Sequence, residues 1–411
     1  MNKITRRSVL GAALAAPAVL SSRCALGQEA KKPIKVALIA PLSGPWARSG
    51  ELMRLGAQQA VNDVNAAGGV ASKGGRPLQL VVYDAGDSIE RAKNAAQRLI
   101  AQEPEVVAGV GAWLSSFTLA VTEVTERAGL PWLTLSWLDS LTERGYKNVF
   151  ATSATLTELA KQSLPALVAG ARAQKVEISR IALVNDGTTP ARSYMELLKT
   201  QVVPGLNVEV VVDQAFTTPL SDATPLIQRL RTARPILLVL YSTTTSDLKS
   251  IIDKWGEFGL NQKFPIFVPT QTVCSPDLLK SVDASLVDGL LGLTSNWPTA
   301  AMAKTVAELR KAGGEPWITA DTLSPYGEVM LIRDAIERAP SVDKEDISRA
   351  LAATPSDSPA ARFFAGENFG FDAKGRRRNG PAILVQWRKG IPVSVYPGGS
   401  AQSQLVWPKP S

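Results

Sequence analysis

The sequence predicts an α/β protein made of two Rossmann-like halves in tandem, each a parallel sheet with helices on both faces. Three observations lead there. Short β-branched runs alternate with longer amphipathic segments, the pattern of βαβα units. The same rhythm restarts after a Thr/Ser-rich stretch near Ala151 to Thr157. And 411 residues, 45% hydrophobic and 20% charged, suffice for two domains that each bury a core.

Ahead of the first strand, residues 1–27 have the pattern of an export signal. Lys3 and the pair Arg6-Arg7 precede an apolar stretch from Val9 to Leu20, which is broken by Pro17 and followed by small residues. Such a stretch is shorter than the roughly 20 apolar residues a membrane span needs. The charged start and small-residue end fit a cleaved leader, and the arginine pair resembles a twin-arginine signal. Cleavage after Ala25-Leu26-Gly27 would start the mature chain at Gln28 and place it, soluble, in the periplasm. The alternative is lipidation at Cys24, but Arg23 occupies the place where a lipobox has a small residue.

Charge and cysteine content follow from that cut. The whole chain has 45 Lys plus Arg against 37 Asp plus Glu, a formal +8. The leader removes Lys3, Arg6, Arg7 and Arg23 and no acid, leaving +4, too mild to argue for nucleic acid. Cys274 then stands alone, so no internal disulfide is expected. No histidine is present, which excludes Ser-His-Asp and Cys-His catalysis and imidazole ligands for zinc. No metal or cofactor is expected.

In the first half, Ile34 to Ala40, Leu78 to Tyr83, Val106 to Val110 and Trp132 to Leu135 are the strand candidates. Helical spacing of apolar residues fills the gaps at Gly50 to Ala67, Ser88 to Ala101 and Ser115 to Ala128. The second half repeats the pattern with strands Ile181 to Val184, Val208 to Val212, Ile236 to Leu240 and Ile266 to Val268. Helices near Ala300 to Ala312 and Pro325 to Ala339 follow, then a strand pair around Ala382 to Trp387 and Pro392 to Tyr396. From Gly398 the periodicity is lost, and Pro408 and Pro410 suggest a loose end.

Doubly wound sheets bind ligands beyond the carboxyl ends of their strands. Residues just past those ends share a chemistry: Ser43 and Trp46, Trp113, Ser115 and Ser116, Ser136 and Trp137, then Asp186, Thr188 and Thr189, Tyr241 and Thr243, and Gln271. Ser115 and Ser116 open a helix, where free N–H groups favour an anion; ordinary N-capping is the other reading. The tryptophans at 46, 113, 132 and 137 are either core residues or the walls of a cleft. Gly109-Val110-Gly111 begins like a dinucleotide fingerprint, but Leu114 stands where the third glycine belongs. Ser246-Asp247-Leu248-Lys249 and Ser341-Val342-Asp343-Lys344 fit Ser-x-x-Lys without the companion motifs, and read as solvated helix faces.

Three segments carry a family resemblance: Ile34-Lys35-Val36-Ala37-Leu38-Ile39-Ala40-Pro41-Leu42-Ser43-Gly44-Pro45, Gly56-Ala57 to Asn65-Ala66-Ala67-Gly68-Gly69-Val70, and Leu141-Thr142-Glu143-Arg144-Gly145-Tyr146. They resemble the type I periplasmic solute-binding proteins of ABC importers, branched-chain amino-acid branch. The resemblance implies lobes at 28–153 with 292–376 and at 154–291 with 377–411, joined by crossovers near Ala151 to Ala154, Leu290 to Ser295 and Gly375 to Gly380. It implies capture of a small organic solute, an amino acid, amide or aromatic carboxylate, by a monomer that closes on it and docks on a membrane permease. Ser115 matches the family's carboxylate-binding serine, and Ser136 with Leu138 falls where relatives offer further contacts to that group. Pro190 stands roughly where relatives have a tyrosine. Gln271 stands where amino-acid binders place an acid for the ammonium, which weakens the amino-acid reading, although Asp186 is a candidate replacement. The cysteine pair that some relatives have near Gly86 and Leu114 is absent. A ligand-sensing module for a signalling partner and a carboxylate-based enzyme are the alternatives.

Overall fold

The computed structural model describes residues 31–407. The expected leader, Cys24 and the two tail prolines lie outside the described residues. Strands β1 (Ile34–Ala40), β2 (Leu78–Asp84), β3 (Val106–Gly111), β4 (Trp132–Thr134) and β5 (Val149–Ala151) form a wholly parallel sheet in the order β2-β1-β3-β4-β5. This is a doubly wound order, and its switch point lies between β1 and β3. Helices α1 (Ala47–Ala66), α2 (Ile89–Gln102) and α3 (Ser115–Arg127) make the crossovers.

The chain then passes through α4 (Leu156–Ala173) into β6 (Arg180–Asp186), α5 (Thr189–Leu197), β7 (Glu209–Phe216), α6 (Thr224–Ala233), β8 (Leu237–Tyr241), α7 (Thr245–Glu257) and β9 (Ile266–Val268). Two single-turn helices, α8 (Leu278–Ser281) and α9 (Ala284–Val287), lead to β10 (Leu291–Thr294). After α10 (Ala303–Gly313), α11 (Ala320–Arg338) and α12 (Lys344–Ala352), the hairpin β11 (Ile383–Arg388) and β12 (Ile391–Tyr396) completes a second sheet, β12-β11-β10-β9-β8-β6-β7. Its β10–β11 and β11–β12 pairs are antiparallel; the others are parallel.

Core strands are apolar almost throughout because helices cover both faces of each sheet. In β1 only Lys35 is not buried, and its ammonium pairs with Glu103 at 2.8 Å. Helices α1, α11 and α12 cover one face of the first sheet, with Met53, Ala57, Val61, Leu323, Val329, Ile347 and Leu351 in one apolar cluster. Helices α2 and α3 cover the other face. Residues after β10 thus return to the first sheet before the chain goes back to the second.

Three segments cross between the sheets and are hydrogen-bonded side by side. Ala151 N–H donates to Gly375 O (2.8 Å), Arg377 N–H to Ala151 O (2.9 Å), and Ala154 N–H to Ser295 Oγ (2.8 Å). Gly375 has φ +75°, and a Cβ there would sit 2.1 Å from Val149 O, so the close pairing of first and third crossings requires glycine.

Several details differ from the sequence reading. Leu291–Thr294 pairs with β9 and β11, so the second crossing starts after Thr294 and the boundary expected at 292 moves into the second sheet. Strands β5 and β10 and helices α4, α8, α9 and α12 are additions to the expected elements. Helix α11 begins at Ala320, with Pro325 inside it rather than at its start. The tail is strapped down to residue 407: Val406 N–H donates to Gln386 Oε1 (3.1 Å), Trp407 N–H to Gln174 Oε1 (2.8 Å), and Trp407 is buried.

Helices α1 and α11 touch most closely at Gly56, where a Cβ would lie 2.0 Å from Thr322 O. Gly56→Ala is therefore expected to destabilise by about 1–3 kcal/mol through overpacking. Gly205→Ala, which meets nothing within 4 Å, is expected to stay within about 0.5 kcal/mol of the parent. Urea unfolding of both variants checks the contrast; equal stabilities would refute the packing account.

Candidate functional site

Between the carboxyl edges of the two sheets lies a small cleft of about 50 Å³, room for a few waters or one small molecule. The first-sheet wall is Trp113, Leu114, Ser115, Leu135, Ser136 and Trp137; the second-sheet wall is Pro190, Tyr241, Thr243, Thr270, Gln271 and Thr272. Among the described residues, no Asp, Glu, Lys or Arg lines it.

Of the candidates that the sequence suggests, the cleft brings together Trp113, Ser115, Ser136, Trp137, Tyr241, Thr243 and Gln271. Ser115 is the first residue of α3 and is 5% exposed. The cap residue of that helix is Leu114, which supplies no side-chain hydrogen bond, so the N–H groups of the first turn are left open at the cleft. Ser136 also lines it, but its hydroxyl is held internally, donating to Trp113 O (2.7 Å) and bonded to Thr118 Oγ1 (2.7 Å).

Trp113 is a pre-formed wall. Its backbone has φ +70°, a left-handed conformation that costs a tryptophan about 1–3 kcal/mol and persists only when the surroundings enforce it. Ser136 holds its carbonyl, and its indole Nε1 donates to Asp321 Oδ1 at 2.9 Å. Asp321 stands in the first turn of α11 and is buried. Burial raises its carboxyl to about 6, opposed by hydrogen bonds from Trp113 and Ser49 and by the charge of Arg48. Asp321 is not a candidate from the sequence, because no motif links positions 113 and 321.

On the opposite wall, burial raises the Tyr241 phenol well above its usual range, helped by the nearby Asp186 charge, so it stays neutral. Gln271 follows β9, and its Oε1 is buried without a hydrogen-bond partner. Leu114, Leu135, Pro190, Thr270 and Thr272 complete the walls. Of these five, Pro190 stands out in the sequence as a departure from the family's tyrosine and Leu114 as a departure from the dinucleotide fingerprint; none of the five is a candidate ligand residue from the sequence.

Six candidates lie outside the lining. Asp186 is buried behind Thr243 and already accepts four hydrogen bonds: Thr188 N (3.0 Å) and Oγ1 (2.6 Å) on Oδ1, and Thr243 N and Oγ1 (both 2.7 Å) on Oδ2. It orders the second wall, and a carboxylate so committed has little left for a ligand. Thr188 is held by the same bonds, and Thr189 starts α5 beside it. The Leu138 carbonyl accepts from Arg376 Nη2 at 2.8 Å. Ser116 lies one step round α3 from Ser115, off the cleft wall. Trp46 packs edge-on against Phe117, ring centroids 5.5 Å apart, and its Nε1 reaches Thr243 Oγ1 at 3.4 Å.

That Trp46 contact links the two sides, as does Arg48 of α1, which pairs with Asp277 past β9 and with Glu315 at 2.7 Å. Among the described residues, no helix is long and apolar enough to cross a membrane.

Two doubly wound sheets with three crossings and a ligand-sized cleft between their carboxyl edges define a two-lobed binding protein. A family model of periplasmic binding proteins matches residues 33–391, and the chain belongs to that family. It is 27% identical over 396 residues to the Leu/Ile/Val-binding protein homolog 7 of Brucella melitensis, covering 92% of this chain and 95% of that one. It is also 27% identical to the leucine-, isoleucine-, valine-, threonine-, and alanine-binding protein of Pseudomonas aeruginosa, covering 87% and 90%. A solute-binding protein of an ABC transporter from R. palustris, solved with benzoate, superposes with TM-score 0.75 at 18% identity, covering 91% and 98%. A branched-chain amino-acid substrate-binding protein of Streptococcus pneumoniae, solved with isoleucine, gives 0.74 at 19%, covering 92% and 100%. At these identities the structural likeness is one of fold.

The raised carboxyl of Asp321 makes a signed pH prediction. A folded value above the usual 3.8 means that the folded state holds the proton more tightly than the unfolded chain. The stability this contributes is complete below about pH 4 and is lost as pH rises through about 6. Asp321→Asn keeps an acceptor for Trp113 and removes the titration. Relative to the parent it should gain stability as pH rises from 4 to 7, by roughly 2–3 kcal/mol at pH 8. A difference in urea midpoint that does not change with pH would contradict this.

Proposed function

We propose that the chain is the extracytoplasmic substrate-binding protein of an ABC importer, and that it captures a small organic carboxylate in the cleft without turning it over. The observation that carries this reading is the open first turn of α3 at the cleft, with Ser115 at its head. Free N–H groups and the positive end of a helix dipole suit one carboxylate. Trp113, Trp137 and Tyr241 supply flat apolar walls suited to a planar or branched body.

Family membership supports a solute-binding role. The relatives' names point to branched-chain amino acids and the R. palustris neighbour to benzoate. A wall without ionisable acids favours the second kind of ligand, since an ammonium desolvated against neutral groups lacks the partner it needs. We further propose that residues 28–153 with the 295–376 segment act as one lobe and the remainder as the other. The lobes close about the three crossings, with Arg48–Asp277 and Trp46–Thr243 as contacts of the closed form, and the closed monomer docks on a membrane permease. Export through a twin-arginine leader, cleaved near Gly27, completes the proposal.

Calorimetric titration of the mature protein with benzoate tests the site. Ser115→Ala is expected to weaken binding by about tenfold or more, the size of a lost hydrogen bond to a charged group. Unchanged affinity in that variant would reject the assignment of the carboxylate to α3.

A further inference from the structure

The amino edge of the second sheet, opposite the cleft, carries a row of cations. A hollow there of about 1020 Å³, far more than one small anion fills, is lined by Arg180 at the start of β6, Arg231 and Arg234 at the end of α6, and Lys263 before β9. Leu260 and Phe264 form its floor, and no Asp or Glu among the described residues lines it. Because β11 runs antiparallel to β10, its far end returns to the same edge, where Lys389 N–H donates to Asp288 Oδ1 (2.7 Å) just ahead of β10. The hairpin tip reads Arg388-Lys389-Gly390-Ile391, with Ile391 54% exposed. Neighbouring strands lie about 4.8 Å apart, so the row from β6 through β8, β9 and β10 to β11 is roughly 20 Å long.

Backbone geometry shows that some of these cations are kept against a local preference. Where a helix hands over to a strand through a left-handed residue, glycine is the unstrained choice, as at Gly129 before β4 and Gly259 before β9. Arg234, between α6 and β8, has φ +50°; Lys175, between α4 and β6, has +63°; and Lys389 at the hairpin tip has +52°. The helix dipole favours basic residues in a last turn, but that attraction does not require the left-handed position. The acids on these turns are engaged: Glu177 with Arg172 at 3.0 Å, Glu257 with Lys254 at 2.6 Å, and Glu209 3.9 Å from Arg180. Arg231 lies over the Phe258 ring, 5.6 Å from its centroid. Among the described residues, the Lys175, Arg234, Lys263 and Lys389 side chains have no acidic partner.

We propose that this edge is a docking surface for an anionic phospholipid membrane, which the protein engages reversibly. Cations set on separate turns along a line meet headgroups spread over a plane, whereas one small anion would need them converged on a point. An exposed isoleucine beside Arg388 and Lys389 suits the boundary between headgroups and acyl chains. Strand β8 runs from this edge to the cleft, where its last residue, Tyr241, forms part of the wall. Attachment by the amino edge therefore directs the cleft away from the lipid and leaves it open to solute. The surface stands apart from the cleft, so the proposal holds whichever solute the cleft takes.

Co-sedimentation of the mature protein with vesicles tests this, phosphatidylcholine alone against phosphatidylcholine mixed with phosphatidylglycerol. Binding is expected to the mixed vesicles only, and to weaken as salt rises. Each cation near an anionic surface strengthens binding about fivefold, so Arg231→Gln/Arg234→Gly/Lys263→Gln should weaken it about a hundredfold. Arg234→Gly alone should cost about fivefold without lowering the urea midpoint, since glycine suits the left-handed position; a folding defect cannot then account for the loss. Removing three cations from the first-sheet side, Arg54→Gln/Arg127→Gln/Lys304→Gln, should change binding by less than about twofold, because those charges lie beyond screening distance of the surface. Failure to bind the mixed vesicles, or an equal loss with the first-sheet variant, would overturn the proposal. Displacement by inorganic phosphate at constant ionic strength would also overturn it and reassign the hollow to a small anion.

Discussion

The molecule's organisation rests on the requirement that buried polar groups be paired. Where the two sheets meet, that requirement is met nearly everywhere by the protein itself. Asp186 gathers Thr188 and Thr243, Ser136 secures the Trp113 carbonyl, Asp321 holds the Trp113 indole, and Arg376 takes the Leu138 carbonyl. These bonds fix both walls of the cleft as rigid surfaces. At the cleft itself the chemistry left for a ligand is the first turn of α3 at one end, with the neutral Gln271 at the other. A charged group at the first end is favoured by the helix dipole; at the second, a charge would have no counter-ion.

The same economy governs the joint between the lobes. The first and third crossings exchange backbone hydrogen bonds, the second is tied to the first through the Ser295 hydroxyl, and Thr152 Oγ1 reaches Glu328 of α11 at 2.7 Å. Away from the joint, bonds between the two sides come from longer side chains, among them those of Trp46, Arg48 and Trp317. A tight joint with side-chain links beyond it is the arrangement expected of hinged domains. The ion pair of Arg48 is half-buried.

Much of this is legible in the sequence. The apolar runs of β1, β3, β6 and β8 are strands buried on both faces, and no other element produces such runs between helical repeats. Ser115 is legible because a serine opening a helix after a strand end is tied to position in the fold. What the sequence hides, it hides for physical reasons. Strand β5 is three residues long, too short for a period to show. The start of helix α11 is obscured because Pro325 looks like a first-turn proline, and nothing in the sequence announces the turns before it. Asp186 stands out as an acid at a sheet edge, yet Thr188, two residues on, claims one of its oxygens locally, as an Asx turn does, and the distant Thr243 takes the other. Asp321 and Trp113 meet across 208 positions, a distance that only tertiary structure closes. Gln271 shows in the sequence only as the lack of a charge; its buried, unpartnered oxygen is visible in three dimensions alone.

The most direct measurement is native mass spectrometry of the mature protein purified from an exporting host, with release and identification of whatever small molecule travels with it. The account predicts one unmodified aromatic carboxylate per chain. A stoichiometric α-amino acid would contradict the reading of the second wall, and a released product chemically altered by the protein would contradict capture without turnover.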